Sequence, residues 1–300
     1  MKAIRRYFRG GNLGYLFVLP ALIYMLTLVG YPIISNIILS LQDVTVKTIK
    51  LPVKPFVGLE NYQKLFESGI LQTSIWNTLL FTVCSLVFQF LFGFALALFF
   101  NRNFTFMKPI RGLLMMPWMI PITVTGLMFK FMFGTNVGII NHALMGMNLI
   151  QTPIEWLTQP GTAMFALIVA NIWIGIPFNM ILLSVGLSTI PQELHESASI
   201  DGANAFQAFK AVTLPLLKPA IESVLILGFI YTFKVFDLVF VMTSGGPVNA
   251  TQVLSTYSYK LSFSLFKYGQ GAAVANILFV ILMIAGIFYL KFTYADEESV

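Results

Sequence analysis

Lys234 and Asp237 stand three residues apart in the otherwise apolar stretch Leu216 to Met242, a spacing that puts both near one face of a helix. A charge at the centre of a bilayer costs about 2.5–3.5 kcal/mol on insertion scales, so two unpaired ones would cost about 5–7 kcal/mol. They must therefore bridge each other and lock a helix bundle, or both face water along a path. A second polar cluster lies in Asn171-Ile-Trp-Ile-Gly175-Ile-Pro177-Phe178, with an amide, a glycine and aromatic rings inside two helical turns. Amide hydrogen bonds and aromatic faces are the chemistry that holds a sugar. The same residues equally suit an interhelical hydrogen bond at Asn171 and a close-packing point at Gly175.

Chemistry by the chain alone is not expected. It has no GxxxxGK[ST], HExxH or GxSxG segment, and His142 and His195 have no partner cluster. Cys84, the only cysteine, falls inside an apolar stretch, which excludes an intrachain disulfide and a thiolate metal site. No catalytic residue and no metal ligand is assigned, and the expectation is that the chain is not an enzyme.

The elements that position these residues follow from composition. Of the 300 residues 57% are hydrophobic and 10% charged, and the mean hydropathy is +0.83, against about 25% charged in a soluble domain. Six apolar stretches match a bilayer core of about 30 Å: Tyr15 to Leu41, Ser74 to Phe100, Leu113 to Phe133, Thr162 to Leu187, Leu216 to Met242 and Gly271 to Phe292. The expectation is an all-α membrane protein with six transmembrane helices in one domain, residues 15–292. A cytoplasmic N-terminal segment, 1–14, and a cytoplasmic tail, 293–300, flank it.

The first apolar stretch is too long for a signal-peptide core and should remain as a helix. With the N-terminus cytoplasmic, Lys2, Arg5, Arg6, Arg9, Arg102, Lys108, Arg111, Lys210, Lys218 and Lys291 share the cytoplasmic side, against Lys47, Lys50, Lys54, Lys64, Lys260 and Lys267 outside. The net charge of +6 thus reflects topology rather than nucleic-acid binding. Pro20, Pro32, Pro117, Pro121 and Pro177 fall within spans and should face protein or water, because each frees a carbonyl that lipid cannot satisfy.

Between the fourth and fifth spans, residues 190–215 read as two short helices on the membrane surface. Pro191 suits a first turn, and Glu193 and Glu196 favour the helix N-terminal half. Leu194 and Ala198 share a face, Asp201 caps the second helix, Gly202 relaxes the bend, and Lys210 precedes a stop at Pro215. Small residues and a carboxylate on a projecting turn suit the docking of a cytosolic partner.

That loop resembles the EAA signature of ABC importer permeases: Glu-Ala-Ala, three residues, Gly, nine residues, Ile-x-Leu-Pro. Glu196-Ser197-Ala198, Gly202 and Val212-Thr213-Leu214-Pro215 stand at the matching spacing, with serine for alanine and valine for isoleucine. Asp201-Gly202-Ala203-Asn204, Gly58-Leu-Glu-Asn-Tyr62, Asn77-Thr78-Leu79, Gly245-Gly-Pro247, Tyr257 and Tyr259 extend the resemblance to the carbohydrate-uptake, maltose-transporter-like branch. The short segment Gln42 to Thr73 leaves no room for the folded extracytoplasmic insertion of that branch's longest members.

The resemblance implies a type I ABC importer permease fold with a cytoplasmic coupling helix, in a bacterial or archaeal inner membrane. It implies that Glu196, Ser197, Ala198, Asp201, Gly202, Leu214 and Pro215 meet a cytosolic ATPase dimer, which carries ATP and Mg. The other implied partners are a second homologous permease, an extracytoplasmic solute-binding protein, membrane lipids and a sugar. Asn171, Gly175, Phe178, Gly228 and Thr232 align with sugar-contacting positions of the maltose-type permease, Phe178 and Thr232 in place rather than in residue type. Lys234 and Asp237 remain candidate pathway charges. The rival readings are an ion-coupled carrier using those two charges, an integral membrane enzyme, and a purely structural membrane subunit.

Overall fold

The computed structural model describes residues 13–101 and 107–297. The basic residues Lys2, Arg5, Arg6, Arg9 and Arg102, and the last three residues of the expected tail, lie outside the described residues. The helices are α1 (Leu13–Met25), α2 (Tyr31–Ser40), α3 (Glu60–Glu67), α4 (Ile70–Phe100), α5 (Met107–Met119), α6 (Ile122–Met132), α7 (Ile139–Gly146) and α8 (Pro160–Ser188). They continue with α9 (Gln192–Ile200), α10 (Ala205–Ala208), α11 (Leu214–Phe233), α12 (Asp237–Met242), α13 (Leu254–Tyr259) and α14 (Tyr268–Glu297). Among the described residues there is no β-strand, only the isolated bridges Gln42 to Phe56 and Thr45 to Lys267.

Among the described residues five helical runs are long and apolar enough to cross a bilayer: Phe17–Ser40, Ile70–Phe100, Pro160–Ser188, Ala205–Phe233 and Tyr268–Lys291. The expected third span is not one helix. It breaks at Ile120 and Pro121 into α5 and α6, which lie at 93° to each other. Pro121 drives the residue before it out of helical backbone and has no N–H to continue the ladder, and it stands as the N-cap of α6.

The expected fifth span also differs at both ends. It starts earlier: α10, a π turn at Phe209–Thr213 and α11 form one run, so Pro215 does not stop a helix but sits at the start of α11. The ring of Pro215 cannot follow a normal α turn, and the π turn before it opens the ladder, with Leu214 N–H bonding Phe209 O. The first span repeats the device, with the π turn Leu26–Gly30 ahead of Pro32. The fifth span also ends earlier, at Lys234, and Asp237 opens the separate helix α12. Lys234 and Asp237 therefore do not share a helix face. The hydroxyl of Ser255 donates to the Val235 carbonyl at this break, supplying a partner that an unbroken helix would have provided.

The described residues fall into two compact units, one from those up to Glu67 with Ser258–Ile277, the other from Ser68–Tyr257 with those from Leu278 on. In the first, Asn36 donates to Asn276 Oδ1 (2.6 Å), Asn276 to the Tyr62 hydroxyl (3.2 Å), and Tyr62 to Ser40 Oγ (2.9 Å). In the second, α4, α8 and α11 pack along their lengths around Ala97, Leu183, Leu187, Leu217 and Val224. Small residues set the approach: a β-carbon on Gly93 would lie 2.4 Å from Asn179 Cβ, and one on Gly228 2.7 Å from a Leu86 methyl.

Candidate functional site

A cavity of about 410 Å³ opens in the second unit between α4, α5, α8 and α11. Its wall includes all five positions implied by the resemblance, Asn171, Gly175, Phe178, Gly228 and Thr232, together with Lys234 and Asp237. It also includes Gln89, Trp118 and Tyr231, which the sequence reading did not single out.

The amide wall is built by α4 against α8. Gln89, 3% exposed, donates from Nε2 to the Asn171 backbone carbonyl at 2.8 Å. Its amide occupies the space that a Gly175 side chain would fill, since a β-carbon there would lie 2.2 Å from Gln89 Cδ. Asn171 is 8% exposed, and among the described residues its buried Nδ2 has no hydrogen-bond partner. A buried amide donor without a partner costs about 1–3 kcal/mol, which a bound acceptor would relieve once the side chain turned its amide into the cavity. Gly175 is thus both the packing point and the means by which Gln89 reaches the site.

The rest of the wall is largely aromatic. Trp118 stacks on Phe178 at 6.4 Å between centroids with the planes 29° apart, and Phe178 meets Tyr231 edge-on at 5.9 Å and 81°. Trp118 and Tyr231 remain 54% and 59% exposed, leaving ring surface open. Trp118 is the penultimate residue of α5, so the break before Pro121 determines where α5 ends beneath it. Lys234 Nζ lies 5.2 Å from the Tyr231 ring centroid, a cation–π contact. Among the described residues no ion pair joins Lys234 to Asp237, so the bridge offered as one explanation of their spacing is not formed. Both charges face the cavity instead.

The loop at residues 190–215 stands apart from this cavity. None of the residues of α9 is buried, and Glu196 accepts a hydrogen bond from Gln192 Nε2 at 2.9 Å. Pro191 is the N-cap rather than the first helical residue, with Glu193 in the first turn. Ser197 O accepts from Asp201 N–H (3.0 Å) and Ala198 O from Ala203 N–H (2.9 Å), closing the C-terminal turn. Gly202 has φ +81°, as its expected role at the bend requires. Asp201 does not cap the next helix; Asn204 does, its Oδ1 accepting from Gln207 N–H and the Gln207 side chain accepting from Asn204 N–H. Asp201 closes α9, and the two residues after it are taken up by the turn at Gly202. Leu194, Ile200 and Phe206 are exposed around this loop, while Leu214 and Pro215 begin α11.

Residues 89–292 match the model of the family described as "binding-protein-dependent transport system inner membrane component". The chain belongs to that family. It is the permease type of subunit of an ABC importer, a multi-pass inner-membrane component and not itself a catalytic subunit. It is 35% identical over 285 residues to the trehalose/maltose transport system permease protein MalF of Thermococcus litoralis, covering 95% of this chain and 94% of that protein. It is 33% identical over 279 residues to the sulfoquinovosyl glycerol transport system permease protein SmoG of Agrobacterium fabrum, covering 93% and 89%. Its fold is similar to that of a chain in the crystal structure of a bacterial alginate ABC transporter in complex with an alginate pentasaccharide-bound periplasmic protein. That likeness has a TM-score of 0.79 at 25% identity and covers 96% of this chain and 94% of the other.

Proposed function

We propose that this permease forms one half of a sugar pathway, with the cavity around Asn171 as the sugar contact. The observation that carries the reading is the pairing of an unpartnered buried amide at Asn171 with the open aromatic wall of Trp118 and Tyr231. A sugar offers hydroxyl acceptors to the first and an apolar ring face to the second. A cavity of 410 Å³ falls within the roughly 300–1,000 Å³ of small-molecule sites and suits an oligosaccharide end or a disaccharide. The names of its relatives, which carry trehalose and maltose, a sulfoquinovosyl glycerol and alginate, agree with a carbohydrate.

In this reading the second half of the pathway is a homologous permease, and an extracytoplasmic binding protein delivers the sugar. ATP and Mg are held by a cytosolic ATPase dimer that receives α9, with Glu196 facing a basic residue and Leu194, Ile200 and Phe206 covered by the partner. Both termini are cytoplasmic. Closure of the ATPases moves α9, and the cavity between the permeases turns outward. Arg111 donates from Nη2 to Phe100 O (2.9 Å) at the C-terminus of α4, where a cation complements the helix dipole, on the side the proposal calls cytoplasmic.

The test is Asn171→Ala in the complete reconstituted transporter. Loss of one hydrogen bond to the sugar, about 1–1.5 kcal/mol, should weaken the apparent affinity for uptake about five- to tenfold while ATP hydrolysis persists. An unchanged uptake affinity across a panel of disaccharides would remove the cavity from the sugar's path.

A further inference from the structure

A second groove lies in the first unit, along one face of α2. Tyr31, Pro32, Ser35 and Leu39 form its wall, Gln42 its end, and Lys54 its rim. From Tyr31 to Gln42 the wall runs 12 residues, about 16 Å at ~1.5 Å per residue step. This face belongs to the first span, Phe17–Ser40, none of whose residues in the most apolar window is buried within the chain. Lys54 is brought back to the end of that span by the backbone: Asp43 N–H bonds Pro55 O and Val57 N–H bonds Leu41 O, both at 2.9 Å. With the first span crossing the bilayer, the groove runs along the apolar C-terminal half of that span to the ammonium group of Lys54 just past its end.

The surrounding segment has the same character. Lys47, Lys50 and Lys54 alternate with exposed Ile49, Leu51, Val53 and Phe56, the last two 82% and 73% exposed. Asp43 is the only carboxylate from residue 43 to 59, and Glu60 is engaged by Lys64 at 2.6 Å. Among the described residues no carboxylate lies within ion-pair distance of Lys54. A solvent-facing loop has no use for so much open apolar surface, and a purely apolar contact none for three unpaired lysines.

We propose that this groove is a binding site for an anionic phospholipid, with one acyl chain along α2 and the phosphate on Lys54. Lys47 and Lys50 add a diffuse positive field at the same level, and Phe56 and Val53 sit among the chains beside it. The proposal is independent of the cargo and of the coupling loop.

The experiment uses the intact transporter in detergent micelles, with native mass spectrometry of retained lipid. Dioleoylphosphatidylglycerol should be retained more strongly than dioleoylphosphatidylcholine. One lysine at an anionic surface corresponds to about fivefold in binding, so Lys54→Gln should weaken retention of the phosphatidylglycerol about fivefold and Lys54→Arg should restore it. A photo-crosslinking residue in place of Ser35 should label lipid. Equal retention of the two lipids, or a Lys54→Gln variant that elutes as the intact complex and keeps full retention, would overturn the proposal. So would crosslinking of position 35 to the second permease or to the binding protein.

Discussion

Gly175→Ala is the change that most sharply probes how the cavity is built. The new methyl would lie 2.2 Å from Gln89 Cδ and 2.4 Å from its Nε2. Those atoms are the end of a flexible side chain, so the steric cost is relieved by swinging the amide away. The swing breaks the 2.8 Å bond to the Asn171 carbonyl and leaves a 3% exposed amide unpaired. That loss costs about 1–3 kcal/mol, and the better helix propensity of alanine offsets about 1 kcal/mol. The net expectation is destabilisation of about 0–2 kcal/mol, a fall of up to about 4 °C in the unfolding temperature of the purified chain. In a Gln89→Ala background the methyl fills vacated space and only the propensity gain remains, so the same substitution becomes neutral or mildly stabilising. The assay is a thermal double-mutant cycle, with a coupling of about 2 kcal/mol expected. Equal penalties in both backgrounds would refute the claim that Gly175 exists to admit Gln89.

Gly93→Ala should be worse than Gly175→Ala. Its β-carbon meets Asn179 Cβ at 2.4 Å and the Met180 backbone nitrogen at 3.1 Å, so α4 and α8 themselves must part, and the yield of folded chain from membranes should fall well below that of Gly175→Ala. Glu196→Lys breaks only an exposed hydrogen bond to Gln192, so the chain should insert and keep its unfolding temperature within about 1 °C, equivalent to the ±0.5 kcal/mol of ordinary surface changes. In the assembled transporter the same variant should hydrolyse ATP without uptake, and normal uptake would count against docking through α9.

The membrane spans were legible because length and apolarity alone decide them, as in Ile70–Phe100 and Pro160–Ser188. The bend in the loop was legible at Gly202 because a left-handed residue favours glycine. Its cap was not: Asp201 and Asn204 are both good cap residues, and the choice falls to Asn204 because the turn consumes the residues between them. Pro121 marked a distortion, but not a 93° bend, which depends on the seating of α6 against α12 through Gly126. The break after Lys234 had no local signal, since Phe233 to Phe236 contains neither proline nor glycine. It is accommodated by the Ser255 hydroxyl from twenty residues on. The polar and aromatic positions of α8 and α11 were found one helix at a time, whereas Gln89 and Trp118 join them only when the helices pack. Gln89, a lone long amide in the apolar run Val83 to Phe100, was the signal available for the first.

The most direct test of the account is uptake by proteoliposomes holding the permease with its partner permease, ATPases and binding protein, using a radiolabelled disaccharide. The account predicts accumulation that requires ATP inside the ATPase compartment and is indifferent to an imposed proton or sodium gradient. Accumulation driven by such a gradient without ATP would contradict it, and would return Lys234 and Asp237 to the role of ion-coupling charges.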